Sequence, residues 1–320
     1  MTTLKGKGVF PEDHPLSVGN GGLDGGKPAA HFLKEADLVF AIGAGLTRGP
    51  GAPMKRGRKL IHSVVGEQDL NKDYLVQVGI VGDAQMVLAQ MGEEVRKQKG
   101  GSGLPANPSL VDEIRRVKTE WLKEWMPKLT SNEVPINPYR VIWELRNTLD
   151  RKNTIITHDS GWPRDALAPF WETPVPRGYI GWGHHSTMGF SLGASLGAKL
   201  AEPGKTVVQF TGDGSFGMVG MDWEAAARNK IPILTVLINN KGLGHYFHDT
   251  PATAALGGNY AKIAEALGGY GERIEKVGDI VPAIKRAVEI TQGGRPALLE
   301  FMISLEHEYN NKYWVNLFGK

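Results

Sequence analysis

Short apolar runs separated by polar, glycine-rich turns characterise the second half of the chain. Val207–Phe210 reads VVQF, and Gly212-Asp213-Gly214 follows almost at once. A stretch with helical spacing comes next, and then Ile233–Ile238, ILTVLI, which ends in Asn239-Asn240. Continuous apolar runs of this length that alternate with helices are typical of a parallel sheet covered on both faces. The pattern predicts an α/β fold here.

The first part of the chain carries the same kind of pattern in a shorter form. Ala36–Leu46 predicts a buried strand that runs into a glycine turn, and Lys59–Val65 predicts the next strand. Asp73–Met91 predicts a short strand and then a helix that begins at Asp83. Before the first strand, residues 6–22 have a loop-like composition. A doubly wound domain has about six strands, and roughly three are visible, so residues 1–96 are predicted to form a partial Rossmann-like domain.

A polar segment rich in glycine and proline, residues 97–108, predicts a linker. An amphipathic helix is expected up to about residue 132, and Trp121 and Trp125 near one face of it favour core packing over a ligand role. Asn137-Pro138 then opens a helix, and residues 153–161 predict a strand and a loop. The predicted division is 1–96, a linker and helix at 97–132, and a second α/β domain at 133–320.

Two polar side chains follow neighbouring strands of this second domain. Asp213 comes after one apolar run and Asn240 after the next. Carboxyl ends of parallel strands meet at one edge of the sheet, which is where open α/β sheets bind ligands. A carboxylate, an amide oxygen and a backbone carbonyl form a partial cage of hard oxygen ligands, which suits Mg²⁺ completed by phosphate and water. Glycines allow a phosphate to approach the backbone closely.

GDGSF, the helix with AAAR and the NN pair at this spacing resemble the cofactor motif of the thiamine diphosphate-dependent enzymes, in the branch of acetolactate synthase and 2-hydroxyacyl-CoA lyase. The resemblance covers nearly the whole chain. It implies a three-layer parallel-sheet sandwich that binds thiamine diphosphate at 133–320, preceded by part of the central domain. It also implies that Asp213, the Asn240 side chain and the Gly242 carbonyl bind Mg²⁺.

The resemblance further implies which residues hold the cofactor. The Met188 side chain would support its bent shape, and the Ser186 carbonyl would accept a hydrogen bond from the aminopyrimidine. The remaining cofactor-binding residues, which would surround the diphosphate, are Ser160, Gly161, Trp162, Gly212, Gly214, Ser215 and Leu243. His184 and His185 are candidates for hydrogen bonding or proton transfer at a reacting carbonyl. His245 and Tyr246 are candidates for the substrate pocket.

Two features depart from the simplest family pattern. Trp162-Pro163 stand where acetolactate synthases usually carry a Gln-His pair, which argues against a plain acetolactate synthase. The resemblance implies a lyase or carboligase that acts on a C–C bond next to a carbonyl, and the segments around Trp162, Met188 and Trp223 look closer to the 2-hydroxyacyl-CoA lyase branch. No segment resembles the pyrimidine-binding domain, whose glutamate activates the cofactor. A hetero-oligomer, a tetramer or larger, with a partner subunit that carries this glutamate is therefore expected, although the chain could equally be a fragment. Residues 308–320 could close over an acyl-CoA or, more simply, pack in a subunit interface.

Composition excludes several classes of protein. The chain has 37 basic and 34 acidic residues and a net charge of +3, which is too balanced to favour a nucleic-acid or anionic membrane partner. It has no cysteine, so disulfides, thiolate metal sites and a cysteine nucleophile are excluded. The amino terminus has no apolar segment typical of a signal peptide, and a cytoplasmic protein is expected.

Three alternatives remain open. The first is an acetolactate synthase-like carboligase or 2-keto acid decarboxylase that uses pyruvate. The second is a non-catalytic assembly subunit, although the intact set of Asp213, Asn240 and Met188 weighs against it. The third is a dinucleotide-binding oxidoreductase, but the glycines near residue 43 match the required G-x-G-x-x-G pattern poorly.

Overall fold

The structure is a computed structural model that describes residues 1–22, 24–46, 58–101, 105–182, 186–243 and 255–315. Within these residues, two parallel sheets with flanking helices form the framework of the chain. The predicted α/β class is therefore confirmed. No helix in the described ranges is long and apolar enough to cross a membrane.

The first sheet has three parallel strands in the order β1-β2-β3. They are β1 (Leu38–Ile42), β2 (Lys59–Val64) and β3 (Val78–Val81). Helix α2 (Ala84–Gln98) follows β3, and the Asp83 carboxylate caps it by accepting from the backbone N–H groups of Gln85 and Met86. These predicted elements are confirmed. Helix α1 (Lys27–Glu35) precedes β1, in a segment where the sequence pattern predicts no regular element.

Helix α3 (Pro108–Leu129) connects the two sheets and begins inside the predicted linker. It buries one face, formed by Ile114, Val117, Trp121, Trp125 and Leu129. The Trp121 ring stacks on Phe170 with 5.1 Å between ring centroids. Both tryptophans therefore pack in the core, as predicted.

The second sheet has six parallel strands in the order β5-β4-β6-β7-β9-β8. The strands are β4 (Thr154–His158), β5 (Tyr179–Ile180), β6 (Thr206–Gly212), β7 (Leu234–Asn239), β8 (Tyr270–Ile274) and β9 (Ala297–Met302). The helices around it are α4 (Pro138–Thr148), α5 (Trp162–Phe170), α6 (Phe190–Ala201), α7 (Asp213–Val219), α8 (Trp223–Arg228), α9 (Tyr260–Ala266) and α10 (Ile280–Gln292), and α11 (Lys312–Val315) lies near the carboxyl terminus.

Successive strand residues pack into two different clusters, which makes the second unit a three-layer sandwich. Ile156 and Val208 belong to the cluster that includes α4, α5 and α10. Ile155 and Val207 belong to the cluster that includes α6, α7, α8 and α9. Side chains of a strand alternate between the faces of its sheet, so both faces are covered by helices.

The predicted strand and loop at residues 153–161 are confirmed by β4 and the three residues after it, and α5 begins directly afterwards at Trp162. Gly161 adopts a left-handed φ of 78°, which only glycine adopts readily. Pro163 lies in the first turn of α5, where a backbone N–H has no partner within the helix, so the N–H that proline lacks is not needed. The loop is thereby reduced to Asp159, Ser160 and Gly161.

Strand β8 passes very close to the start of α9 because Gly271 has no side chain. A Cβ atom there would lie 1.9 Å from the Ala261 carbonyl oxygen and 2.6 Å from its carbonyl carbon. We expect Gly271→Ala to destabilise the protein by about 1–3 kcal/mol or more, because backbone atoms cannot move aside as a side chain can. Denaturant unfolding measures this. Gly204→Ala is the control, since nothing lies within 4 Å of that position, and equal stability of the two variants would contradict the prediction.

Candidate cofactor and metal site

The order of the strands creates a crevice at one edge of the second sheet. From β4 the chain moves to β5 on one side, and it then returns to place β6 on the other side of β4. Ligands of open α/β sheets bind at such a switch point, beyond the carboxyl ends of the strands. Ser160 and Gly161 follow β4, Gly212 ends β6, and Asn240 follows the adjacent β7. The topology therefore assembles most of the predicted cofactor residues at one edge.

Asp213 and Asn240 meet at the backbone N–H of Gly242. This N–H donates to Asp213 Oδ2 at 3.1 Å and to Asn240 Oδ1 at 3.0 Å. The second carboxylate oxygen, Oδ1, accepts from the N–H of Gly214 at 2.9 Å. The turn requires a left-handed φ of 59° at Lys241. Two oxygen groups from different strand ends are thus held beside each other, as predicted.

Burial sets the electrostatics of Asp213. The residue is 3% exposed, and desolvation raises the pKa of its carboxyl to about 6, although backbone N–H groups oppose the shift. Within the described residues, the hydrogen-bond donors to this carboxylate are neutral backbone groups. A desolvated carboxylate held by neutral donors fits a divalent cation, which would supply the compensating positive charge.

The donor set also fits a hard cation. In the described part of the chain, no three His, Cys, Asp or Glu side chains cluster in a way that could hold a metal. The arrangement at Asp213 instead brings one carboxylate and one amide oxygen together at the Gly242 N–H, and the Gly242 carbonyl stays a predicted third ligand. Mg²⁺ accepts few protein ligands and keeps waters or phosphate oxygens as the others, so the residues present fit Mg²⁺ with a diphosphate.

Two predicted apolar residues lie over the glycine turn. A Cβ atom on Gly214 would be 3.3 Å from Met188 Cε and 3.3 Å from Leu243 Cδ2. Met188 and Leu243 thus come from separate segments and meet above the start of α7. Ser215, in the first turn of α7, is buried. These two side chains leave little room over Gly214, where a side chain would contact both of them.

The short loop after β4 approaches the segment before α6. The Ser160 and Ser186 hydroxyls form a hydrogen bond, which brings together two residues that were predicted to contact the cofactor. The Trp162 ring points elsewhere, since it packs against Tyr139 and Tyr309 at centroid distances of 5.2 and 6.4 Å. The predicted contribution of a backbone N–H from Trp162 stays a prediction.

Asp159, for which the sequence predicts nothing beyond capping of a loop, organises this edge. It is fully buried and accepts from the Ser191 N–H at 3.1 Å, from the Ser191 hydroxyl and from the Thr211 hydroxyl at 2.6 Å. These bonds tie β4 to α6 and β6. Neighbouring His158 is also buried, and desolvation lowers the pKa of its imidazole to about 4, so it is neutral at pH 7. Both residues support the crevice structurally.

Four candidates cannot be placed. His184, His185, His245 and Tyr246 all lie outside the described residues. Their suggested roles in proton transfer and in the substrate pocket therefore stay predictions.

Comparison with known proteins agrees with this geometry. Residues 1–91 match the family described as thiamine pyrophosphate enzyme, central domain, and residues 159–301 match the family described as thiamine pyrophosphate enzyme, C-terminal TPP binding domain. The chain belongs to the thiamine pyrophosphate-dependent enzyme superfamily and corresponds to its central and carboxyl-terminal portion.

Among curated proteins, similar sequences carry the name acetolactate synthase. The probable large subunit from Methanococcus aeolicus is 30% identical over an alignment that covers 94% of this chain and 53% of that protein. The probable large subunit from Methanocaldococcus jannaschii is 31% identical, with 94% and 52% covered. The isozyme 3 large subunit from Escherichia coli is 28% identical, with 97% and 55% covered. The chain spans about half the length of these relatives.

The raised pKa of Asp213 predicts a pH dependence of stability in the metal-free protein. A rise from 3.8 to about 6 makes the ionised carboxylate cost on the order of 3 kcal/mol of folding free energy. This cost is absent below about pH 4, where the group is protonated in both states, and complete above about pH 6. We therefore expect the stability of Asp213→Asn relative to the wild type to increase between pH 4 and 6 and then to stay level.

Denaturant unfolding in the presence of a chelator measures this difference. Asn loses one of the backbone hydrogen bonds at all pH values, so the test is the pH dependence of the difference and not its absolute size. A difference that is constant from pH 4 to 7 would contradict a desolvated carboxylate at Asp213.

Proposed function

We propose that this chain is the diphosphate- and Mg²⁺-binding part of a thiamine diphosphate-dependent carboligase of the acetolactate synthase type, acting on pyruvate. The observation that carries the proposal is the convergence of Asp213 and Asn240 on the N–H of Gly242 at the switch-point edge. The names of the similar proteins support the choice of reaction. They favour pyruvate chemistry over the 2-hydroxyacyl-CoA lyase expected from the sequence.

The carboxyl-terminal segment gives no support to an acyl-CoA substrate. Its described part packs within the chain, since Trp314 is 1% exposed and its indole N–H donates to the Gly25 carbonyl at 2.8 Å. The Trp125 indole donates to the Tyr313 hydroxyl at 3.1 Å. A segment anchored by two aromatic residues is poorly suited to close over a substrate.

The residues have separate tasks in this proposal. Asp213, Asn240 and the Gly242 carbonyl would hold Mg²⁺, which would supply positive charge for the diphosphate. Met188 and Leu243 provide an apolar wall, and the Ser186 carbonyl accepts from the aminopyrimidine. Thiamine diphosphate supplies carbanion chemistry when bound. The other residues proposed to hold the diphosphate are Ser160, Gly161, Trp162, Gly212, Gly214 and Ser215.

The glutamate that activates the cofactor is proposed to come from a partner subunit with the pyrimidine-binding domain. Exposed apolar side chains on the first sheet and its helix α2 support a contact surface for a partner subunit there. Val78 and Val81 on β3 are 48% and 54% exposed, and Leu88 on α2 is 53% exposed. Parallel sheets are normally covered on both faces. The division at 1–96, 97–132 and 133–320 remains part of this proposal.

Cofactor binding tests the site directly. Isothermal titration of the chain, assembled with its pyrimidine-domain partner, should show uptake of thiamine diphosphate with Mg²⁺, and Asp213→Ala should abolish it because the metal loses its carboxylate ligand. Glu224→Ala is the matched control, since this carboxylate pairs with Arg228 on the surface of α8 and its loss should leave uptake unchanged. Wild-type protein that takes up no cofactor, or an Asp213→Ala variant that binds normally, would overturn the proposal.

The choice of substrate has its own test. The assembled complex should consume pyruvate and release carbon dioxide, whereas the chain alone should show no turnover because the proposal assigns the activating glutamate to the partner subunit. Chromatography should identify a condensation product of two pyruvates. Cleavage of a 2-hydroxyacyl-CoA without pyruvate turnover would contradict the proposed carboligase and favour the lyase. Full turnover by the chain alone would contradict the proposal that a partner subunit supplies the glutamate.

A further inference from the structure

A second buried carboxyl group lies behind the metal site without reaching it. Glu300 is on β9, next to β7, and it is fully buried. Its Oε1 accepts from Asn239 Nδ2 at 2.7 Å, and its Oε2 accepts from the backbone N–H of Ala261 at 3.0 Å. Both donors are neutral groups. A carboxyl group in the interior of a sheet is costly, so its two partners indicate what it does there.

The two partners stand at the two ends of the same segment. Asn239 is the last residue of β7, and Ala261 lies in the first turn of α9. Between them runs the segment 240–260, which begins with Asn240 and Gly242. The ends are also joined by the Leu256 N–H, which donates to the Lys241 carbonyl at 2.9 Å. The Glu300 carboxyl group therefore contacts both the residue before this segment and the residue after it. The segment carries two of the three proposed metal ligands, Asn240 and the Gly242 carbonyl.

A chain of hydrogen bonds leads from Glu300 to Asp213. Asn239 donates to Glu300, and its Oδ1 accepts from the N–H of Lys241 at 2.9 Å. Lys241 is held in the left-handed conformation, which costs a non-glycine residue about 1 kcal/mol or more. That conformation directs the next N–H, from Gly242, to both Asp213 and Asn240. The orientation of Asn239 therefore governs the turn that presents the metal ligands.

We propose that Glu300 is a positioning residue for the metal site: it orients Asn239, which fixes the Lys241-Gly242 turn and thereby places Asn240 and the Gly242 carbonyl for Mg²⁺. This inference rests on the proposed function, because it assumes that the turn binds a metal. Glu300 itself does not contact the metal. Its action depends on the direction of hydrogen bonds, since a carboxyl group that only accepts forces the Asn239 amide to donate to it and to accept from Lys241.

Because the direction of each hydrogen bond matters, the proposal can be tested by exchanging the two side-chain types, with Glu300→Gln and Asn239→Asp combined in one double variant. In Glu300→Gln, one amide nitrogen faces the donor of Asn239 or of Ala261, so one acceptor is lost. In Asn239→Asp, two carboxylates face each other. In the double variant, the amide introduced on β9 can donate to the carboxylate introduced at the end of β7 while accepting from Ala261. That carboxylate can still accept from Lys241. The double variant restores every hydrogen bond and keeps the same number of buried carboxylates.

The test measures the affinity of the assembled complex for Mn²⁺, used in place of Mg²⁺, by electron paramagnetic resonance at saturating thiamine diphosphate. We expect each single variant to weaken Mn²⁺ binding roughly 10–100-fold, the usual effect of removing a residue that orients metal ligands. We expect the double variant to recover most of this loss. Glu172→Gln is the control: it removes a different, only partly buried carboxylate, which is paired with Arg146 and Arg151, and should leave Mn²⁺ affinity unchanged.

A second measurement does not require the cofactor. Hydrogen exchange in the metal-free protein should show faster exchange of the Lys241 and Ala261 amides in Glu300→Gln, with recovery in the double variant. Single variants that bind Mn²⁺ as the wild type does, or a double variant as weak as the singles, would overturn the inference while the proposed function stands. Wild-type protein that binds no Mn²⁺ would instead overturn the proposed function, and the inference with it.

Discussion

The desolvated carboxylate of Asp213 is the constraint on which the rest of the cofactor edge depends. It is held by backbone N–H groups of Gly214 and Gly242, which come from the start of α7 and from the turn after β7. Neutral donors reduce the cost of its burial only in part, as its raised pKa indicates. Such a group is tolerable in a folded protein when binding of a cation repays the cost.

Much of this arrangement could be predicted from the sequence because it follows from local order. Apolar runs identify β6 and β7, and residues that follow two neighbouring parallel strands must lie at the same edge. The proximity of Asp213 and Asn240 could therefore be predicted without knowing which distant strands pair. The i,i+4 pair of Glu224 and Arg228 was predictable for the same reason, and it forms an ion pair of 2.9 Å between two exposed side chains.

The residues that the sequence did not reveal depend on distant contacts. The hydrogen bonds of Asp159 form only when β4 lies beside β6 and the amino terminus of α6 approaches both strands. The bond between Glu300 and Asn239 forms only when β9 pairs with β7. Within residues 297–301, which read ALLEF, no sequence signal shows whether Glu300 is buried in the sheet or exposed at its surface. Helix α1 was missed for a related reason: its short apolar face, with Ala29, Ala30 and Leu33, is completed by Trp314 from the other end of the chain.

The order in which these parts come along the chain has a consequence for how the site forms. Asn239 and Glu300 are 61 positions apart, yet the turn between Asn239 and Gly242 depends on their contact. Strand β9 lies between β7 and β8, so its insertion completes the sheet and supplies the acceptor for Asn239 in one step. Asp213 and Asn240 can approach each other as soon as β6 and β7 pair, but the left-handed conformation at Lys241 lacks this support until Glu300 is in place. If the turn binds a metal as proposed, binding would be coupled to completion of the sheet, because a ligand that binds only the folded turn also stabilises the pairing of β7 with β9.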